Sequence, residues 1–225
     1  MMPDFDALPD TFEDRRIADE KLACAYEAVS PQARARLKTT QALIQAVYAE
    51  PPLPREIRTR SAAAGYAVRL AETAAAWVVA VAGKAVPPAR LTAALTMARL
   101  SGVGRAAVVF PAPDMPPAAF TALDLCGVED AFALSLSETE ALLRHLCQGG
   151  NARRGRLLLF SAPAGLILLA RELSLPCWDA KTAAPPARMH GEELKGCWLD
   201  TDLRPSFFIN TAIHLHSLNP EARHA

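Results

Sequence analysis

The chain has 225 residues, with 24 Lys+Arg balanced by 24 Asp+Glu, so its formal net charge is zero. That balance supplies no excess of cationic surface to neutralise phosphates, which argues against nucleic acid and anionic membrane as partners. The composition, 51% hydrophobic and 21% charged, is that of a globular protein, but 45 alanines and only 6% aromatics imply a core of small, close contacts.

The longest apolar runs, residues 73–83 and 157–170, are closed by charges before the ~18 residues a bilayer span requires. The opening MMPDFDALPDTFEDRR is acidic and lacks the apolar run of a secretory signal, so the expected location is cytoplasmic. Cys24, Cys126, Cys147, Cys177 and Cys197 are scattered with no C-x-x-C pair, and read as reduced, mostly buried small hydrophobes.

The first dozen residues, with Pro3, Pro9 and acidic spacing, read as a loosely ordered segment, and residues 17–29 as a helix. Ser30-Pro31 supplies an N-cap and a first-turn proline, after which Ala33, Leu37, Thr40, Ile44 and Val47 recur at helical spacing. Pro51-Pro52-Leu53-Pro54 stops that helix. This divides the chain into an N-terminal helical arm, residues 1–54, and a remainder, residues 55–225.

Residues 55–73 form a less regular stretch. From there short aliphatic runs alternate with helical periods. Strands are predicted over 77–82, 106–110, 131–134, 157–160 and 177–179, and helices over 87–100, 116–125, 137–148 and 164–173. Ser137 with Glu140 three residues on reads as the capping box of the third of these helices, and Gly149-Gly150 as its end. Strands of four to six residues alternating with helices imply right-handed βαβ units. The expected fold is therefore α/β, a doubly wound, mostly parallel Rossmann-like sheet with an N-terminal helical arm. Beyond it KGCWLD reads as a strand, and PSFFINTAIHLHSL fits either helix or strand.

In such sheets ligands bind outside the carboxyl ends of the strands. The residues expected there are Gly83 and Lys84, Pro111 and Ala112, Ser135, Ser137 and Glu138, and Ser161 and Ala162. Lys84 is the cation placed to meet an anionic ligand, and the serines are placed to donate hydrogen bonds. No G-x-G-x-x-G, G-x-x-x-x-G-K-[ST] or G-x-S-x-G is present. His214 and His216 are weak metal candidates: they share a face if the segment is extended and diverge if it is helical.

LTAALTMARLSGVGRAAVVFPAP (residues 91–113) and ALDLCGVEDAFALS (residues 122–135) resemble histidinol dehydrogenase, a zinc-dependent enzyme that oxidises histidinol to histidine with two NAD molecules. The resemblance covers roughly residues 30–145. It implies a Rossmann-like fold, an NAD site at the carboxyl ends and a dimer. The departures fall at the chemistry. Where the family has Tyr-x-Pro-Gly-Gly after its first strand, this chain has Ala80-Val81-Ala82-Gly83-Lys84. Where the family has Gly-Gly-Ala-Gln, this chain has Ser135-Leu136-Ser137-Glu138, with a carboxylate replacing the amide. Ser161-Ala162-Pro163-Ala164 stands where the family has Gly-Pro-Gly-Asn, and neither Gln-x-x-His nor Pro-Glu-His is present. Asn210 is what the chain offers near the family's zinc-ligating aspartate, and the chain is about half the family's usual length.

The expectation is a histidinol dehydrogenase-like protein without dehydrogenase activity or cofactor, retained to bind a small anionic ligand or a protein partner, with a homodimer among the partners. The alternative is an NAD(P)-dependent oxidoreductase with a rebuilt site.

Overall fold

A computed structural model describes residues 8–48, 56–61, 66–160 and 163–217. Its centre is a five-stranded sheet. The strands are β3 (Trp77–Val81), β4 (Arg105–Phe110), β5 (Asp130–Ala133), β6 (Gly155–Leu159) and β7 (Cys177–Asp179). They lie in the order β5-β4-β3-β6-β7, and every pairing is parallel. The chain winds outward from β3 to β5, then returns to the other side of β3 to continue with β6 and β7. That reversal is the mark of a doubly wound sheet, and it places the crossover point between β3 and β6.

Parallel strands covered on both faces need side chains that tolerate burial in both directions, which is why WVVAV and GRLLL are buried at every position. One face carries α4 (Pro88–Leu100) and α5 (Pro117–Leu125), with α2 (Asp19–Ala28) and α3 (Pro31–Val47) packed outside them. Leu22, Leu37 and Ile44 of these outer helices join the same cluster as Val78, Val108 and Leu158 of the sheet. The other face carries α6 (Leu136–Leu146) and α7 (Ala164–Glu172). There Leu142, Leu143, Leu166 and Leu169 cover Val79, Val109 and Leu159.

α3 begins as its Ser30-Pro31 predicts: the Ser30 hydroxyl accepts from the Ala33 N–H at 3.3 Å. Of the segment read as loosely ordered, residues 1–7 lie outside the described residues, and the remainder enters a short helix, α1 (Asp10–Glu13); Leu8 before it and Phe12 within it are buried against the α6–α7 face. Residues 15–17 then run along the open edge of β5, where Ile17 N–H donates to the Ala131 carbonyl and Ala133 N–H to the Arg15 carbonyl. Arg16 fixes that path through Asp130, 2.5 Å away. The edge of the parallel sheet is thereby covered.

Three expectations need correction. Residues 55–73 are not irregular: they hold β1 (Glu56–Ser61) and β2 (Tyr66–Ala74), which pair with β8 (Ile209–Ser217) in a separate antiparallel sheet, order β1-β2-β8. β2 pairs with β1 just upstream and, on its other side, with β8 some 140 residues downstream, beyond the reach of any local pattern. KGCWLD forms no strand, because tertiary contacts claim its side chains: Asp200 receives Arg90, and the Trp198 ring lies beneath the same guanidinium. The capping box of α6 is Ser135 with Glu138, two residues earlier than read from sequence, and the helix ends at Leu146 before a 3-10 segment, Gln148–Arg154. The ambiguous C-terminal stretch resolves into a 3-10 turn, Pro205–Phe208, followed by strand β8.

Candidate functional site

The carboxyl ends of β3, β4, β5 and β6 surround a cavity of about 90 Å³. Val81, Val109, Pro111, Leu134, Leu136 and Leu166 form most of its wall, with Gly83 and Pro163 among the other lining residues. Of the residues anticipated from sequence, Gly83 and Pro111 therefore line the cavity. Ala112, Lys84, Ser135, Ser137 and Glu138 are beside it in sequence but not part of its wall, and Ser161 and Ala162 lie outside the described residues.

The polar residues at this end hold the scaffold together. Glu138 accepts from the Ser135 backbone N–H at 2.8 Å, and its own N–H donates to the Ser135 hydroxyl at 3.3 Å. Arg15 reaches the same carboxylate at 3.2 Å. Hydrogen bonds from the Ser135 hydroxyl and backbone N–H, with the charge of Arg15 behind them, hold the Glu138 carboxyl below its ordinary value. Ser137 Oγ lies 3.2 Å from Ser135 Oγ. Lys84 Nζ is 3.2 Å from Asp114 Oδ2, so the one cation singled out at the end of β3 has its charge offset across the neighbouring loop.

Two features here were not read from sequence. Thr139 contributes to the cavity wall, and its hydroxyl donates to the Ser135 carbonyl at 2.8 Å, an i to i+4 pairing that the misplaced cap obscured. Arg90, in the first turn of α4, is gripped by Asp200 through bonds of 3.0 and 2.7 Å and lies over the rings of Trp178 and Trp198 at 5.3 and 5.1 Å. Its partner arrives 110 residues later, so no motif marks it.

A larger cavity, about 640 Å³, lies at the opposite, amino ends of the strands, where the two sheets meet. Thr73, Asn210, Arg153 and Arg154 are among its lining residues. Below it the buried Arg156 donates to the carbonyls of Phe207 and Ile209 and, at 2.9 Å, to Asn210 Oδ1. Asn210 thus joins the two sheets. The doubly wound fold directs its crossover loops and the N-termini of α4 to α7 to the other end, which makes the smaller cavity the better-positioned one for a ligand despite its size.

His214 is exposed on β8 and stands in register with Arg69 of β2. His216 lies in the same strand, and the strand is extended as the shared-face reading requires. Among the described residues no three His, Cys, Asp or Glu side chains gather as a metal would need. The thiols of Cys126, Cys147 and Cys177 are pushed up to about 11, in each case chiefly by burial. They are poor nucleophiles at neutral pH.

Together these features define a doubly wound α/β protein with a restricted, mostly apolar cavity at its crossover end. No protein-family model and no curated protein matches the sequence. Among solved structures the chain is similar to histidinol dehydrogenase from Elizabethkingia anophelis, with a TM-score of 0.61 and 10% identity over 73% of this chain. The chain spans 39% of the length of that enzyme's chain. At this identity the likeness establishes the fold: the protein has a histidinol dehydrogenase-like α/β architecture. Among the described residues no helix is long and apolar enough to cross a membrane.

Proposed function

We propose that this protein is a non-catalytic histidinol dehydrogenase-like module that binds a small ligand at the carboxyl ends of β3 to β6. The observation carrying the proposal is the cavity itself. At about 90 Å³ it is well below the ~300 Å³ at which ordinary small-molecule pockets begin, and a dinucleotide needs far more. Its walls are mostly aliphatic side chains and prolines, with Gly83 and Thr139 among them. Glu138, which replaces the family's amide, spends its carboxylate on Ser135 and Arg15. A ligand suited to this arrangement places a short apolar group in the cavity and an anionic group outside it, toward Lys84, in competition with Asp114 for the ammonium. A short-chain carboxylate meets that description.

The reading is tested by incubating zinc-loaded protein with histidinol and NAD, and by following the melting temperature in NAD, NADP and a series of short-chain carboxylates. The expected result is no turnover, no shift with either nucleotide, and a shift that peaks at one carboxylate chain length. NAD-dependent oxidation of histidinol overturns the proposal. Stabilisation by NADP with reduction of the nucleotide replaces it with the oxidoreductase reading.

A further inference from the structure

Arg153-Arg154-Gly155-Arg156 puts three arginines in four residues, and the fold gathers them at the larger cavity. Gly155 pins the run, because the Trp77 ring leaves no room for a Cβ at that position. Arg153 and Arg154, in the last turn of the 3-10 segment, line the cavity of about 640 Å³, and Arg156, only 4% exposed, lies below it. All five N–H groups of the Arg156 guanidinium go to neutral acceptors: the carbonyls of Arg153, Gly155, Phe207 and Ile209, and the Asn210 amide oxygen. Among the described residues no carboxylate pairs with it, and burial lowers its pKa.

A buried cation without a counter-charge is costly, and an anion in the space above it offsets that cost. The lining suits one. It includes no Asp or Glu. The Arg153 side chain makes no hydrogen bond, ion pair or ring contact with any described residue, so its fork of donors is open to a ligand. With its oxygen held by Arg156, Asn210 has its NH2 group to offer, and that group has a single partner, the Ala74 carbonyl at 3.5 Å. Much of the remaining lining, Ala74, Ala75, Ala76, Gly102 and Gly104, carries a methyl group or no side chain, which keeps the space open.

We propose that this cavity is a second ligand site, in which the Arg153 guanidinium and the Asn210 amide hold the phosphate group of a small phosphorylated molecule over the buried charge of Arg156. Charge selects phosphate over carboxylate: a phosphate monoester carries about −1.5 to −2 at neutral pH, and a guanidinium fork matches its oxygens two at a time. The volume falls within the ~300–1,000 Å³ of small-molecule sites. The site is independent of the one at the carboxyl ends, since it lies at the opposite ends of the strands and shares no lining residue with it.

Titration of the 15N-labelled full chain with glycerol 3-phosphate and ribose 5-phosphate tests this, with glycerol, ribose, acetate and sodium chloride at matched ionic strength as comparisons. The expected result is saturable binding of the phosphorylated compounds, with amide shifts concentrated at residues 102–104, 153–156 and 209–211, where the comparison solutes cause none. Arg153→Ala should raise the dissociation constant about tenfold or more, with far-UV circular dichroism unchanged. Lys38→Ala, which removes the same charge from an exposed position on α3, should leave it within about twofold. Binding should also weaken below about pH 6, where the monoester gains its second proton. The proposal is overturned if no saturable binding occurs in the millimolar range, if acetate or chloride shifts residues 153–156 equally, if the phosphate compounds act at Gly83 and Lys84 instead, or if Lys38→Ala weakens binding as much as Arg153→Ala. The wild-type shift map decides the matter if the arginine variant fails to fold.

Discussion

Val78, Val79 and Ala80 of β3 are fully buried, whereas Ile213 and Leu215 of β8 stand about two-thirds exposed, though all five are aliphatic residues in regular strands. The difference lies in what covers the two sheets. Helices lie on both faces of the parallel sheet, so each of its residues has a defined neighbour and a penalty for change. The antiparallel sheet rests on its ladders and on the join at its foot. Two sheets in one chain therefore carry unequal shares of its stability, and substitutions separate them.

The largest effect is expected at Gly155, the first residue of β6. A Cβ built there would lie 2.1 Å from Cζ2 of Trp77, a ring with no solvent exposure and no room to turn. Gly155→Ala should cost about 3 kcal/mol or more, as overpacking of a closed core does. Ile57→Ala on β1, 45% exposed, should cost only about 0.5 kcal/mol. Urea midpoints at unchanged slope measure both, and similar losses at the two sites would erase the contrast between the sheets.

Next in size is the ion pair that anchors residues 195–204 to α4. The side chains of Arg90 and Asp200 are 14% and 2% exposed. Asp200→Ala leaves a mostly buried guanidinium without its carboxylate, and the expected loss is about 2 kcal/mol, below that of breaking a fully buried pair because the tryptophan rings retain the cation. Replacing both residues, Arg90→Met with Asp200→Leu, should recover a measurable part of that loss in the same denaturation assay. No recovery would show that the charges themselves are required.

The parallel sheet was legible because burial on both faces writes itself as unbroken aliphatic runs. VVAVA, AAVVF and LLLF each stand between turn residues, and the helices between them carry their own caps. At the site, Gly83 and Pro111 were accessible to the same logic, since strand ends follow from strands. The rest depended on distance. β2 gains its second neighbour only from β8, Arg90 is defined by Asp200, and Arg156 by carbonyls more than 50 residues away. The α6 cap was misplaced by two residues because Ser135 and Ser137 both have a glutamate three positions on. The reciprocal hydrogen bonds of Ser135 with Glu138 mark which of the two starts the folded chain uses.

Arg156 is where the two sheets can be separated deliberately. Its guanidinium is buried, which lowers its pKa, and it donates to Phe207, Ile209 and Asn210 at the foot of β8. Arg156→Met removes the donors and leaves those acceptors unpaired, at an expected cost of about 2 kcal/mol. The location of the effect is more telling than its size. Exchange should accelerate at residues 209–217 and 66–74 before it changes in β3 or β4. Uniform acceleration would mean that the antiparallel sheet is coupled to the core by more than this join.

The smallest effect concerns the cap of α6. Ser135→Ala should cost about 1 kcal/mol, the usual loss for an N-cap hydroxyl. It should also alter the pH dependence. Because the folded state holds the Glu138 carboxyl below its ordinary value of 4.5, the folded protein binds fewer protons than the unfolded chain in the acid range. The stabilisation from this group is fully present above about pH 4.5 and fades as the pH falls through the lowered value. Removing the serine hydroxyl takes away the leading cause of the lowering, so the acid limb of the stability curve should flatten in Ser135→Ala. In Glu138→Gln the contribution of this residue to that limb should vanish. If neither variant changes the limb, the carboxylate does not titrate as its hydrogen bonds require.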